Sequence, residues 1–198
     1  FAGPEQALMA TAMTQMGKHY GLPVYINVGL SDSKVPDAQA GMEAGITLTC
    51  GALAGADIFG HLGICGVDQA SSLDMLMMQH ELIGYVERMM QGIAFDDETL
   101  GLEVVQQVGP GGTFMDQDHT AAHFRKELWF PKLLDRQFYD AWMSDGAKTM
   151  AQRCREEKER LLREHEPEPL SDDLDKHIED LLAAARRDLE SAGKSWRQ

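Results

Sequence analysis

Aromatic and polar side chains follow the second of two predicted strands, at a place where they could bind a charged ligand. Phe59 and His61 stand two residues apart at the end of Asp57–Gly60, so in an extended segment both side chains project to the same side. An aromatic face attracts a cation, and an imidazole beside it supplies a polar contact. The pair could therefore hold a cation or a polar methyl donor. The alternative is a core Phe59 beside a hydrogen-bonded, structural His61, and the sequence favours neither interpretation.

A second polar group follows the first predicted strand. Asn27 lies at the end of that strand, and the loop after it carries Asp32 and Lys34. These three residues could form a polar rim around a ligand. Alternatively, the loop is a capped surface turn in which Asp32 and Asp37 accept hydrogen bonds from backbone N–H groups. Residue types alone favour this structural alternative, and the sequence assigns no catalytic residue in either group.

Other residues that could carry chemistry lack the partners that a known kind of site needs. His119 and His123 are four apart on a predicted helix, but no third ligand lies at motif spacing, so we predict no metal site. Cys65 lies in a Gly-rich loop where a thiol can react, although an isolated cysteine is more often inert. Gly109 to Gly112 is not a phosphate loop, because no Lys-Ser/Thr pair follows it.

The elements that must position these residues alternate between helix and strand in the first half of the chain. The strands are short and apolar, which predicts burial on both faces of the first one. Alternation of this kind predicts a parallel sheet with right-handed crossovers. In chain order we predict a helix from Pro4 to about Tyr20, the strand Val24–Val28, a helix from Pro36 to about Gly55, the strand Asp57–Gly60, a loop over 61–66 and a helix ending near Gln91.

Two strands cannot enclose a core, and a complete (β/α)₈ barrel needs about 250 residues. We therefore predict an α/β fold in which residues 1–112 are the C-terminal sector of a TIM-type barrel, within a piece of a longer protein. A small, complete α+β domain is the alternative. Residues 113–198 are predicted to be a helical C-terminal extension. The later helices are expected over 96–109, 118–128, 135–143, 147–165 and 171–191.

The charge of the chain restricts its partners. Eighteen Lys and Arg oppose 32 Asp and Glu, which gives a net charge of −14. A chain with this negative charge is repelled by the phosphate backbone of nucleic acids and by anionic membranes. We therefore predict neither a nucleic-acid partner nor a membrane partner. The three cysteines are odd in number and widely spaced, which favours a reducing compartment and a cytoplasmic location.

Several strings, taken in order, resemble the C-terminal part of the trimethylamine methyltransferase family of corrinoid-dependent methyltransferases. No single string is diagnostic, but their order and spacing are specific, and the resemblance runs from Gly3 to about Leu170. The strings are Leu30-Ser31-Asp32-Ser33-Lys34-Val35-Pro36-Asp37-Ala38-Gln39-Ala40-Gly41, Ala54-Gly55-Ala56-Asp57, Asp96-Asp97-Glu98-Thr99-Leu100, Val108-Gly109-Pro110-Gly111-Gly112-Thr113-Phe114 and His119-Thr120, with Trp142 and Gly146 further on.

The resemblance implies a (β/α)₈ barrel enzyme that removes a methyl group from a methylated amine. In that family the methyl group goes to the Co(I) centre of a corrinoid (cobalamin) carried by a separate partner protein, so this chain itself is expected to bind no cofactor tightly. Trimethylamine-specific members carry pyrrolysine, and none is written here. The resemblance therefore points to the branch without pyrrolysine and to a quaternary amine, with Phe59, His61, Asn27, Asp32 and Lys34 as substrate-binding candidates.

Two other functions stay open at the level of sequence. The chain could be a non-catalytic interaction or assembly module, or it could belong to another TIM-barrel enzyme such as a lyase. A homo-oligomer is compatible with each of these functions.

Overall fold

A computed structural model describes residues 1–193, so residues 194–198 of the predicted extension lie outside the described part. The chain forms mainly helices, with two small sheets. The helices are α1 (Pro4–His19), α2 (Ala38–Ala54), α3 (Leu73–Met90), α4 (Asp97–Leu100), α5 (Leu102–Val108), α6 (Asp118–Glu127), α7 (Tyr139–Ser144), α8 (Met150–Glu164) and α9 (Asp172–Ser191). The strands are β1 (Tyr25–Asn27), β2 (Ile58–Gly60), β3 (Ile64–Cys65) and β4 (Ala70–Ser71).

Strands β1 and β2 pair in parallel, which confirms the predicted direction. Tyr25 pairs with Ile58, Ile26 with Phe59 and Asn27 with Gly60. The connection between them is α2, which begins where the Asp37 carboxylate accepts a hydrogen bond from the Ala40 N–H. It ends at Gly55, whose φ of 91° is a left-handed conformation that suits glycine.

Helices cover one face of this sheet. Ile26 and Val28 are buried against Leu48 of α2 and Val86 of α3. The absence of a side chain at Gly51 allows α2 to approach the sheet closely, because a Cβ there would lie 3.1 Å from the Phe59 ring. The opposite face is exposed, with Tyr25 at 55% and Ile58 at 56%. The prediction that the first strand is buried on both faces is therefore wrong for the residues described.

The segment after β2 differs from the predicted loop. Within it β3 pairs antiparallel with β4, so residues 64–71 form a hairpin. Val67 and Asp68 at its tip have φ values of 61° and 62°, which match the sense of twist that tight hairpins require. The short strands were missed because only two residues pair on each side.

Two later helices are also shorter than predicted. The helix expected over 96–109 is divided into α4 and α5 at Gly101, which adopts a φ of 57°. The helix expected over 135–143 forms only from Tyr139. Before it, the Gln137 N–H donates to the Asp135 side chain, a local turn that competes with helix formation.

A buried carboxylate ties the later chain to α3. Oε1 of Glu81, a residue only 5% exposed, accepts hydrogen bonds from the backbone N–H groups of Lys132, Leu133 and Leu134 at 2.8, 2.9 and 3.2 Å. Arg153 of α8 donates to the Leu133 carbonyl at 3.1 Å. Ion pairs join Arg153 to Asp135 and Lys158 to Asp74.

The described chain divides into two compact units. The first contains residues 1–160 and all of the strands. The second begins at Leu161 and contains α9. Across residues 1–193, no helix combines the length and the apolar character that crossing a bilayer requires.

We expect Glu81→Gln to lower the free energy of unfolding by about 1–3 kcal/mol, because the one charged acceptor that serves three backbone N–H donors becomes neutral. Equilibrium urea denaturation measures the change. Glu87→Gln on the exposed side of the same helix is the matched control and should stay within about 0.5 kcal/mol of the wild type. Equal effects of the two substitutions would contradict the role given to Glu81.

Candidate functional site

The candidate site lies on the exposed face of the parallel strand pair. Tyr25 and Asn27 of β1 and Ile58 and Gly60 of β2 share this face, because their neighbours Ile26 and Phe59 turn toward the helices. Asn27 and Gly60 end the two strands where they lead into loops, and Tyr25, which begins β1, extends its ring toward this end as far as Gly60. In a parallel sheet with helical connections, ligands bind at this carboxyl end.

The Tyr25 ring lies directly over the backbone of Gly60. A Cβ at Gly60 would overlap the phenol, so glycine leaves the space that the ring occupies. The Tyr25 hydroxyl oxygen is 3.4 Å from Nδ1 of His61. Tyr25 and His61 thus come together across two neighbouring strands, although they are 36 positions apart in the chain.

His61 reaches Tyr25 because the chain leaves the extended conformation there. Its φ is 67°, which is uncommon for a residue other than glycine. The His61 carbonyl accepts from the Ile64 N–H at 3.2 Å. The fully buried Gln79 of α3 holds the next turn, because its side-chain oxygen accepts from the Gly63 N–H. These two hydrogen bonds hold the turn that follows His61 and so position its backbone.

Phe59 does not accompany His61. Its half-buried ring packs with Ile26, Val28 and Leu48 on the helix side of the sheet. The prediction that the two side chains project to the same side is therefore wrong, because the extended geometry ends at Gly60 and His61 turns back toward Tyr25.

The loop after β1 is ordered by one carboxylate. Oε2 of Glu43 on α2 accepts from the Ser31 hydroxyl at 2.7 Å and from the Asp32 N–H at 2.9 Å. Its Oε1 accepts from the Gln39 amide at 2.9 Å. Burial tends to raise the pKa of Glu43, but these three hydrogen bonds outweigh it and hold the pKa below its ordinary value.

The remaining predicted site residues lie around this loop. Lys34 is exposed, and its ammonium donates to the Asp32 carbonyl at 2.9 Å. The Asp32 side chain is half-buried. Asn27 is exposed, and its backbone carbonyl accepts from Gln6 of α1 at 2.9 Å. Asp32 and Lys34 therefore contact each other, whereas Asn27 stands with Tyr25 on the sheet.

Sequence reasoning missed three residues that build the site: Tyr25, Gln79 and Glu43. Tyr25 lies inside an apolar run. Its spacing of two residues from Asn27, with Ile26 between them, nevertheless indicated one face that is exposed. Glu43 is the one charged side chain among small and apolar residues of its helix, a pattern that suggests a hydrogen-bonded role, whereas Gln79 is followed directly by His80 and Glu81 and gave no such signal.

The weaker candidates have structural partners. His119 and His123 stack with centroids 4.3 Å apart, and they contact the Glu98 carbonyl and carboxylate at 2.7 and 3.2 Å. Within residues 1–193, no set of three His, Cys, Asp or Glu side chains could hold a metal ion.

Two of the three thiols lie in the core. Cys65 is buried, and burial raises the pKa of the buried Cys154 to about 11 with help from the nearby carboxylates of Asp74 and Glu81. The Cys154 thiol therefore stays protonated and unreactive at neutral pH. Cys50 is half-buried on α2.

The described residues define an α/β protein with a polar, aromatic face at the carboxyl end of two parallel strands. The chain belongs to the trimethylamine methyltransferase (MTTB) family, whose model matches residues 1–190. This confirms the resemblance found in the sequence.

Relatives in this family are named as methyltransferases of amines. The chain is 34% identical over 181 residues to a glycine betaine methyltransferase of Desulfitobacterium hafniense (strain Y51), covering 91% of this chain and 38% of that protein. It is 34% identical over 171 residues to a trimethylamine methyltransferase MttB of D. hafniense (strain DSM 10664 / DCB-2), covering 86% and 34%. A trimethylamine methyltransferase MttB of Methanosarcina thermophila is 32% identical over 179 residues, covering 89% and 36%. The chain thus spans little more than a third of the length of these relatives.

We expect the stability of the chain to fall as the pH drops below the ordinary glutamate pKa of 4.5, in part because of Glu43. A carboxylate whose pKa is depressed in the folded state stabilises that state above the unfolded value, and loses this contribution as the pH falls through the folded value. Glu43→Gln should therefore cost about 1–2 kcal/mol at pH 7 and flatten the acid side of the stability profile. Urea denaturation between pH 3 and pH 7 checks both effects, with the exposed Glu103→Gln as control. A mutant profile parallel to that of the wild type would refute the assignment.

Proposed function

We propose that residues 1–112 form the C-terminal sector of a (β/α)₈ barrel and that residues 113–198 are a helical extension of it. Support comes from the parallel β1–β2 pair joined by α2, with helices on one face and Tyr25 and Ile58 exposed on the other. In such a barrel the helices form the outer ring and the opposite face of each strand points inward. Tyr25 and Asn27 would then face the interior.

On this basis the protein is a methyltransferase that takes a methyl group from a methylated amine, with a quaternary amine as its substrate class. The acceptor is the Co(I) centre of a corrinoid on a separate partner protein. The methyl–nitrogen bond breaks, its electron pair stays on nitrogen as the neutral amine leaves, and Co(I) supplies the electron pair of the new cobalt–carbon bond. A cationic donor is needed because demethylation of a neutral amine would expel an amide anion, which is a very poor leaving group.

The residues on the exposed face suit such a donor. The Tyr25 ring offers an aromatic surface for a trimethylammonium group, a favourable contact for a desolvated cation. His61 holds the phenol through its hydroxyl, and Asn27 provides a neutral polar group on the same face. Asp32 and Lys34 contribute polar groups on the loop beyond the strand, while Phe59 supports β2 from the helix side.

The observation that carries this proposal is the match of the family over residues 1–190. The names of the relatives support the substrate class, since glycine betaine is itself a quaternary amine. The free Cys50, Cys65 and Cys154 support a reducing, cytoplasmic compartment.

The direct test is methyl transfer to a reduced corrinoid protein by the full-length gene product. Glycine betaine, other quaternary amines and trimethylamine are supplied in turn, and formation of methylcobalamin is followed by its absorption spectrum. We expect transfer from at least one quaternary amine. Absence of transfer from every amine, with a partner that accepts methyl groups from another enzyme, would favour an assembly module or a different barrel enzyme.

We expect Tyr25→Ala in the full-length enzyme to lower kcat/KM for the amine roughly tenfold, because the cation loses its aromatic contact. Tyr25→Phe keeps the ring and should retain most of the activity. Tyr20→Ala, which removes another exposed phenol at the end of α1, is the matched control. Steady-state kinetics with the amine varied measure all three, and equal activity of Tyr25→Ala and Tyr20→Ala would exclude Tyr25 from the site.

A further inference from the structure

Helix α9 carries an apolar stripe of unusual symmetry. Its leucine and isoleucine side chains at 174, 178, 181 and 182 are between 38% and 57% exposed. With 3.6 residues per turn, the stripe is continued along the same side by Ala185 and Leu189. The positions read the same from either end about a midpoint between 181 and 182, since 174 mirrors 189, 178 mirrors 185 and 181 mirrors 182.

One edge of the stripe carries charges of both signs. Asp175, Glu179 and Arg186 lie within about 40° of one another around the helix, next to the apolar positions. The two carboxylates stand in the first half of α9 and the guanidinium stands in the second half. When a second α9 is placed beside the first in the opposite direction, the carboxylates of one helix therefore lie at the same height along the axis as the guanidinium of the other.

We propose that α9 is a self-association surface, and that its partner is the α9 of a second copy of this chain in antiparallel orientation. Leu174 then packs opposite Leu189 of the second copy, and Ile178 packs opposite Ala185 of the second copy. Such a two-fold arrangement uses the same patch on both copies. It covers a stripe that would otherwise leave four large apolar side chains in water.

The charges match in this orientation. In an antiparallel pair, equivalent edges of the two helices face each other, so Arg186 lies opposite position 177 of the second copy. It is then about 3 Å along the axis from the levels of both Asp175 and Glu179 of that copy. The two-fold symmetry repeats the arrangement at the other end. This charge complementarity favours a second copy over an unrelated apolar partner.

A charge-swap experiment on the full-length gene product tests the pairing. Arg186→Glu alone and Asp175→Lys with Glu179→Lys each place like charges along the shared edge, so each variant alone should dissociate at least about tenfold more readily. An equimolar mixture should regain the wild-type affinity, because every swapped charge then meets its opposite. Sedimentation equilibrium or mass photometry measures the dissociation constants. Arg187→Glu, which makes the same charge change on the far side of the helix, is the control and should leave association unchanged.

A mixture of Ile178→Cys and Ala185→Cys chains should also form an inter-chain disulfide, as antiparallel packing requires. Recovery in the charge-swap mixture together with this cross-link supports the proposal. Variants that associate like the wild type, or that fail to recover on mixing, would overturn the proposal. The apolar stripe would then pack against another part of the protein or against a different partner. The methyl-transfer assay is independent of both outcomes, so failure here does not count against the proposed reaction.

Discussion

The one-sided burial of the β1–β2 pair is the constraint on which the described structure depends. Ile26 and Phe59 must be removed from water, and α2 and α3 remove them by packing against one face of the sheet. Because side chains alternate along a strand, this choice sends Tyr25 and Gly60 to the other face. The exposed aromatic ring of the candidate site is thus a consequence of how the core is formed.

The site is then completed by polar residues that bind the backbone and leave the exposed face free. Gln79 holds the turn after β2, and Glu43 holds the loop after β1. Both residues lie on helices of the packed face, so the rigidity of the core is passed to the loops at the carboxyl ends of the strands. For the proposed methyl transfer such support would be favourable, since orientation lowers the barrier to transfer.

Much of this architecture was predictable because it follows local rules. The caps at Asp37 and Gly55, the parallel direction of the strands and the family itself were all apparent in the sequence. The contact between Tyr25 and His61 was not, because it depends on a left-handed residue after β2 and on a ring that fits only above glycine. Both features depend on long-range packing, which the periodicity of the sequence does not show. For this reason the sequence indicates Phe59 as the aromatic candidate, whereas Tyr25 occupies the exposed face.

Three residues of the segments that resemble the family have structural roles in this chain. Asp57 binds the Lys18 ammonium and the Val24 N–H, and these two contacts, the Lys18 contact being the larger, hold the pKa of Asp57 below its ordinary value. Asp37 caps α2, and Ser31 is bound by Glu43. A relative can keep these residues while it changes the exposed face, so the family match supports the scaffold and the reaction class more strongly than the choice of amine. Under the proposed function, the choice of amine would rest with Tyr25, Asn27 and the side chains that face them.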